Sequence, residues 1–287
     1  MSRWSLRRDR FRAVLQGARC IHPASVFDPV SARIAEDLGF EAGMFAGSIA
    51  SLTVLGAPDI IVLTLSEFAE QAHRICRAGS LPLLCDADHG YGNALNVMRT
   101  VEELEAAGVA ALSIEDTDLP QPHGTGGKAR LLSLEEGVGK MRAAVAARGD
   151  TGLMIAGRTS APGMTSVADA IERARAYEAC GVDALFFVGV KSREDLDAIA
   201  AATSLPMILG SVGKDLMDLD YLSSRRVRVC LQGHQPFMAA VQAVHDTLRA
   251  LRDGTPPAQL QGVAGDALMK QVMRDADYTG RMKDWLG

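Results

Sequence analysis

The stretch "VEELEAAGVAALSIED" (Val101–Asp116) contains a whole helix-to-strand unit. With Val97 just upstream, Val101 and Leu104 recur four and three residues apart, the spacing of one helix face. Asn96 is placed to cap that helix at its start. Gly108 is placed to end it in the left-handed conformation that glycine adopts without a Cβ penalty. Ala111–Ile114 is then a short apolar run of strand length, and it breaks into two acids, Glu115 and Asp116.

The same order returns in "DLGFEAGMFAG" (Asp37–Gly47) and "ACGVDALFFVG" (Ala179–Gly189), and without the stop glycine in "SSRRVRVCLQG" (Ser223–Gly233). Ser166 and Ser192 are placed to cap two further helices. Eight strands are expected, near Cys20–His22, Gly43–Ala46, Pro82–Cys85, Ala111–Ile114, Leu153–Ala156, Ala184–Val188, Met207–Leu209 and Val227–Leu231. Continuous apolar runs of this kind suit parallel strands buried on both faces. Eight strand–helix units in about this length predict an α/β fold, a single (β/α)8 TIM-type barrel over about 18–252. The alternative is a doubly wound open sheet, which usually carries a glycine-rich phosphate turn after its first strand. Here "HPASVFDP" stands at that place instead.

A break at "DGTPPAQ" (Asp253–Gln259) precedes a helical extension over about 258–287, with Leu268, Val272 and Met273 on one face. A barrel does not need it, so it is expected to pack on a neighbouring subunit. At the other end, Leu6, Phe11, Val14 and Leu15 predict an amphipathic helix that caps the domain. The arginine-rich start lacks the apolar core of a secretion signal; this helix accounts for it better than a transit peptide does.

A net charge of -5 leaves no basic footprint for nucleic acid. No apolar run approaches the roughly 20 residues of a membrane span. Five scattered cysteines without CxxC spacing point to reduced thiols and a cytoplasmic protein rather than to disulfides or zinc.

In a (β/α)8 barrel the chemistry sits at the C-terminal strand ends. Those ends carry Ser25 and Asp28; Gly47 and Ser48; Asp86 and Asp88; Glu115 and Asp116; Arg158; Gly189 and Lys191; Gly210 and Ser211; Gly233 and His234. Asp86, Asp88 and Glu115 offer oxygen only, the ligand set of a hard divalent cation such as Mg²⁺, with Mn²⁺ also accepted. The competing role of the two aspartates is to cap the next helix and brace "GYGN". Along a strand, Cys85 points away from Asp86. Arg158 suits bidentate recognition of a carboxylate or phosphate, or a structural ion pair with one of the acids. His234 is a candidate substrate donor or acid–base group, or a structural turn residue. Ser48 is a candidate carboxylate contact or a helix cap. "HGTGGKA" (His123–Ala129) has the wrong spacing for a P-loop and reads as a mobile loop able to close over the mouth.

The segments "SVFDPVSARIAEDLGFEAGMFAGS", "GAPD", "LPLLCDADHGYGN", "VEELEAAGVAALSIED" and "GRT" resemble the isocitrate lyase/phosphoenolpyruvate mutase superfamily. The likeness runs from about Cys20 to about Ala250. "DADHGYGN" and "QGHQPF" are most similar to its oxaloacetate decarboxylase branch. The resemblance implies a Mg²⁺-dependent barrel for small 2-oxo or 2-hydroxy dicarboxylates, usually a tetramer with C-terminal helices packed between subunits. It implies Asp86 as the direct metal ligand, with Asp59, Asp88 and Glu115 acting mainly through metal-bound water. Gly47, Ser48, Arg158 and His234 are implied substrate contacts, with Arg158 and His234 serving the chemistry. The loop "EDTDLPQPHGTGGKARLLS" (Glu115–Ser133) lacks the cysteine of the isocitrate lyases. Two places depart from the decarboxylase pattern, Ser160 in "RTS" and "GSVGK" (Gly210–Lys214). The expected reaction is loss of CO₂ from oxaloacetate to give pyruvate through a metal-stabilised enolate. The alternatives are a carbon–carbon lyase acting on a substituted malate and a non-catalytic barrel that binds a dicarboxylate.

Overall fold

A computed structural model describes residues 3–287. Eight parallel strands follow one another around a single sheet, and helices cover its outside. They are β1 (Ala24–Ser25), β2 (Gly43–Phe45), β3 (Leu83–Asp86), β4 (Ala111–Glu115), β5 (Met154–Thr159), β6 (Ala184–Val188), β7 (Met207–Gly210) and β8 (Val227–Cys230). Neighbours pair in sequence order, and Ile21 closes the ring by a parallel bridge to Val229. This is the expected α/β barrel.

The first strand is displaced from its expected place at Cys20–His22. Ile21 pairs with β8 through its N–H to Arg228 and its carbonyl to Cys230. Pro23 has no N–H to continue a ladder. The chain changes partners there, and Ala24 donates to Ala42 on the β2 side.

Alternation along the strands separates two cores. Phe45, Leu83, Cys85, Leu112, Ile155, Phe187 and Leu209 point outward and pack under the helices. Met44, Leu84, Ala111, Ala156, Phe186, Ile208 and Val229 point inward and fill the barrel. Helix Arg3–Gln16 plugs the floor with Phe11 and Leu15, and Val14 packs beside them. Leu6 is 52% exposed, contrary to expectation. Five residues before Phe11, it lies well around the helix from the Phe11–Val14–Leu15 face.

Helix Ala94–Ala107 is capped by Asn93, whose side chain accepts from the N–H groups of Leu95 and Asn96. Asn96, the expected cap, supplies the reciprocal bond to the N–H of Asn93. Ser166 and Ser192 do cap helices Val167–Ala179 and Arg193–Ala202.

The helix after β8, Gln235–Arg252, has no buried residue. Its apolar residues Met238, Val241, Val244 and Leu248 are all more than half exposed. Near its start, Phe237 meets Phe27 edge-on at 5.3 Å. The later helices are Asp266–Met273 and Asp275–Leu286. The first is tied to helix Pro29–Asp37 by a two-pronged Arg274–Asp37 ion pair at 2.7 and 2.8 Å. Of the expected apolar face only Val272 is buried; Leu268 and Met273 are about half exposed. No helix of the described residues is long and apolar enough to cross a membrane.

Candidate active site

The strand ends surround a cavity of about 630 Å³ at the C-terminal mouth. Asp59, Asp86, Asp88, Glu115, Arg158, Ser48 and His234 all line it. Inward-facing strand ends bring Asp86, Glu115 and Arg158 there, and the segments that follow the strands bring the others. Asp86 ends β3, Glu115 ends β4, and Arg158 sits beside Glu115 in the β4–β5 register.

Arg158 pairs with Asp86 at short range and with Glu115 at 3.1 Å. The ion-pair geometry is therefore present, at the mouth and with two acids at once. Phe186, beside Arg158 in the β5–β6 register, sets its ring 5.3 Å from the guanidinium. Burial opposes the charge on Arg158, but Asp86 and Glu115 more than offset it and hold its pKa above the usual value.

The other acids are crowded. Burial, then the charges of Asp86, Glu115 and Asp59, push Asp88 well above the ordinary carboxylate range, and Arg158 opposes them. Burial raises Glu115 as well, Asp86 adds to the effect, and Arg158 works the other way. Asp59 stands at the exposed rim on the loop before helix Leu65–Ala78. Partial burial of its carboxylate and the charge of Asp86 raise it, against Arg158 and His234. Four carboxylates thus face one guanidinium. Among the described residues no three His, Cys, Asp or Glu side chains converge to grip a metal directly.

Asp88 holds a left-handed backbone at φ 48°. Its carboxylate lies over Gly47, where any Cβ would overlap the Asp88 oxygens. Gly47 is required for that close approach. Ser48 lies inside the short helix Gly47–Ala50, whose cap position is taken by Ala46, so it is not a helix cap. His234 sits at the start of helix Gln235–Arg252, and its Nδ1 is 2.9 Å from Ser25 Oγ. Burial lowers its pKa, while Asp86 and Asp59 pull the other way.

Asp28 caps helix Pro29–Asp37 by accepting from Ser31 N–H at 2.7 Å. Asp116 turns outward and is fully buried, accepting from Tyr177 at 2.6 Å and Arg173 at 2.9 Å. His89 is buried away from the cavity, and burial with nearby Lys140 lowers its pKa to about 4. The loop after β4 is pinned at its root by a bridge between Thr117 and Leu131, and Leu119 reaches the cavity. Ser160 opens the helix Ala161–Met164 and is absent from the wall, whereas Gly210, Ser211 and Val212 belong to it.

Sequence reasoning missed Ser113, which donates to Asp86 Oδ1 at 3.2 Å. The signal was available, since Ser113 lies two residues before Glu115 and therefore faces inward with it. If Asp86 holds a divalent cation, replacing Ser113 with alanine is expected to weaken that binding by about tenfold, because it removes a partner that orients the carboxylate. Titration with Mn²⁺ followed by electron paramagnetic resonance measures this without turnover.

Fold and site together define a (β/α)8-barrel enzyme whose mouth is lined with acids. Residues 11–252 match the family model of phosphoenolpyruvate phosphomutase, and the chain belongs to that family. It is 60% identical over 284 residues to the oxaloacetate decarboxylase of Rhodopseudomonas palustris (strain BisB18), covering 99% of this chain and 98% of that one. Among solved structures it is similar to the phosphoenolpyruvate phosphomutase of Streptomyces platensis subsp. rosaceus, with TM-score 0.87 and 27% identity over 98% of this chain and 99% of that one. A phosphonopyruvate hydrolase in complex with oxalate and Mg²⁺ superposes with TM-score 0.85 and 27% identity over the same shares of the two chains.

Proposed function

We propose that this chain decarboxylates oxaloacetate to pyruvate and CO₂ at the acid-lined mouth. The observation that carries the reading is its near-full-length similarity to oxaloacetate decarboxylases, joined to a cavity that offers Arg158, Ser48 and His234 to a dicarboxylate.

The donor set fits a hydrated divalent cation. Arg158 pairs with two of the four carboxylates but brings a single positive charge, and the negative charge left over suits an ion held mainly through water. Asp86 would hold it directly, with Asp59, Asp88 and Glu115 reaching it through water. We take the ion to be Mg²⁺, with Mn²⁺ able to replace it. When bound, it supplies Lewis acidity at the 2-oxo carboxylate end, worth several kcal/mol.

Arg158 and Ser48 bind the C1 carboxylate end, and Phe186 packs against the guanidinium that does so. His234 orients the C4 carboxylate. The bond from C3 to C4 breaks, CO₂ leaves, the pair from that bond forms a C2–C3 double bond, and the π pair of the C2 carbonyl moves onto its oxygen to give an enolate. A proton from water then completes the methyl group of pyruvate. Val188, Leu231 and Met217 give the cavity an apolar wall that limits water around the departing CO₂. A panel of oxaloacetate, 2,3-dimethylmalate and phosphonopyruvate, each with Mg²⁺, tests the reading. Preferred turnover of oxaloacetate supports it; cleavage of the substituted malate alone would replace it with the lyase reading.

We further propose a homo-oligomer, in keeping with a tetramer, working in the cytoplasm. The bare apolar face of helix Gln235–Arg252 lies beside a groove lined by Phe27, Ile34, Leu38 and Phe40. A second copy covers both surfaces, and the helices beyond 258 extend that contact. Light scattering is expected to report a multiple of the 30.5 kDa chain mass. Val244→Asp with Leu248→Asp is expected to release monomers; a wild-type monomer contradicts the assembly.

A further inference from the structure

Outside the acid cluster, one polar contact at the mouth joins residues 209 positions apart. Ser25 Oγ lies 2.9 Å from His234 Nδ1. Ser25 ends β1 and His234 opens the helix after β8, so the contact spans the seam where the barrel closes. Both residues line the cavity.

A neutral imidazole carries a single N–H, and its other nitrogen accepts. Nδ1 is engaged by Ser25, which leaves Nε2 for a ligand in the cavity. Two arrangements satisfy the contact: the serine hydroxyl donates to a bare Nδ1, or Nδ1–H donates to Oγ. Burial lowers the pKa of this ring and favours its neutral form, against the pull of Asp86 and Asp59. Ser25 Oγ has no other hydrogen-bond partner among the described residues, so its proton is available to Nδ1.

We propose that Ser25 is a positioning residue whose hydroxyl donates to Nδ1 and holds His234 as the Nε2–H tautomer, a donor aimed at a substrate carboxylate. The kinetic part rests on the reading of His234 as a substrate contact. The tautomer part rests on the Ser25–His234 geometry alone. A carboxylate is recognised by a donor and repelled by a bare nitrogen lone pair, so the wrong tautomer costs binding and orientation together. Without Ser25 the two tautomers compete and the ring turns more freely.

The test uses the full chain with Mg²⁺ and ¹⁵N-labelled histidine, with the His234 signals assigned by their loss in His234→Gln. The wild type is expected to give the Nε2–H pattern. Ser25→Ala is expected to show mixed tautomers, and Ser25→Thr to restore the pattern. In parallel, Ser25→Ala is expected to lower kcat/KM for oxaloacetate about five- to tenfold, the scale of one hydrogen bond. It is expected to add nothing to His234→Gln, and Ser25→Thr to recover most of the loss. An unchanged His234 spectrum in Ser25→Ala overturns the proposal. So does a kinetic loss that persists in full on the His234→Gln background. An unchanged kcat/KM in His234→Gln removes the substrate-contact reading and the kinetic part with it, while the spectrum still decides the tautomer.

Discussion

Asp86→Ala is expected to lower Mg²⁺-dependent pyruvate formation about a thousandfold, the equivalent of about 4 kcal/mol. The reason is the position of its carboxylate. It ends β3 inside the barrel, accepts from Ser113 and is paired with Arg158, so its oxygens are held toward the cavity. Asp88 and Glu115 line the same cavity, but Asp88 holds a left-handed backbone after the strand and neither accepts from Ser113, so neither reproduces the placement of Asp86. Extra Mg²⁺ is therefore expected to recover little. Asp86→Asn keeps the shape and separates loss of charge from loss of packing. A kcat/KM within tenfold of the wild type in both variants would remove Asp86 from the centre of the reaction.

Arg158 yields the second large effect, and it appears in two measurements. Arg158→Lys keeps a positive charge but loses the planar fork, so kcat/KM is expected to fall about a hundredfold or more. Arg158→Gln also leaves Asp86 and Glu115 facing one another without a cation. Breaking a buried pair of this kind costs about 3–5 kcal/mol of stability. Denaturation in urea is expected to show that loss without metal, and Mg²⁺ is expected to recover part of it.

The pH dependence carries a definite sign. Asp88 and Glu115 are raised in the native state, which therefore binds more protons than the unfolded chain. Stability from these groups is present at low pH and is lost as pH rises through their raised native values. Removing Arg158 takes away the charge that opposes this rise. The deficit of Arg158→Gln is therefore expected to be smaller at pH 5 than at pH 8. An equal deficit at both would contradict the crowding of charge described at the mouth.

The barrel was legible because its signals are local. A capped amphipathic helix, a stop glycine and an apolar run recur, and alternation alone turns Cys85 into the outer core while Asp86 faces the cavity. For the first strand, the deciding partner was distant. Ile21 pairs with Val229 across the closure, and Pro23 then moves the first strand onward, which no local pattern around Cys20 indicates. Asn93 and Asn96 share one capping exchange, and their roles depend on backbone angles rather than on residue type.

Helix Gln235–Arg252 has an apolar face like its neighbours, and only the arrangement in space reveals that none of the described residues covers it. At the mouth, residue types pointed to Asp86, Asp88, Glu115, Arg158 and His234 one by one, while Asp59 came only from the family resemblance. The pairing of Arg158 with two acids depends on strand register, and the Ser25–His234 contact depends on ring closure. Ser113 was within reach of the period-two rule. The rest required the fold.

The most direct measurement is pyruvate release from oxaloacetate at a fixed Mg²⁺ concentration, with wild-type protein and Asp86→Ala compared at equal concentration against protein-free Mg²⁺. Turnover by the wild type is expected to lie far above that of the metal alone, with the variant close to that background. Equal rates in all three samples, from wild-type protein that binds Mg²⁺ and oxalate, would contradict the decarboxylase reading.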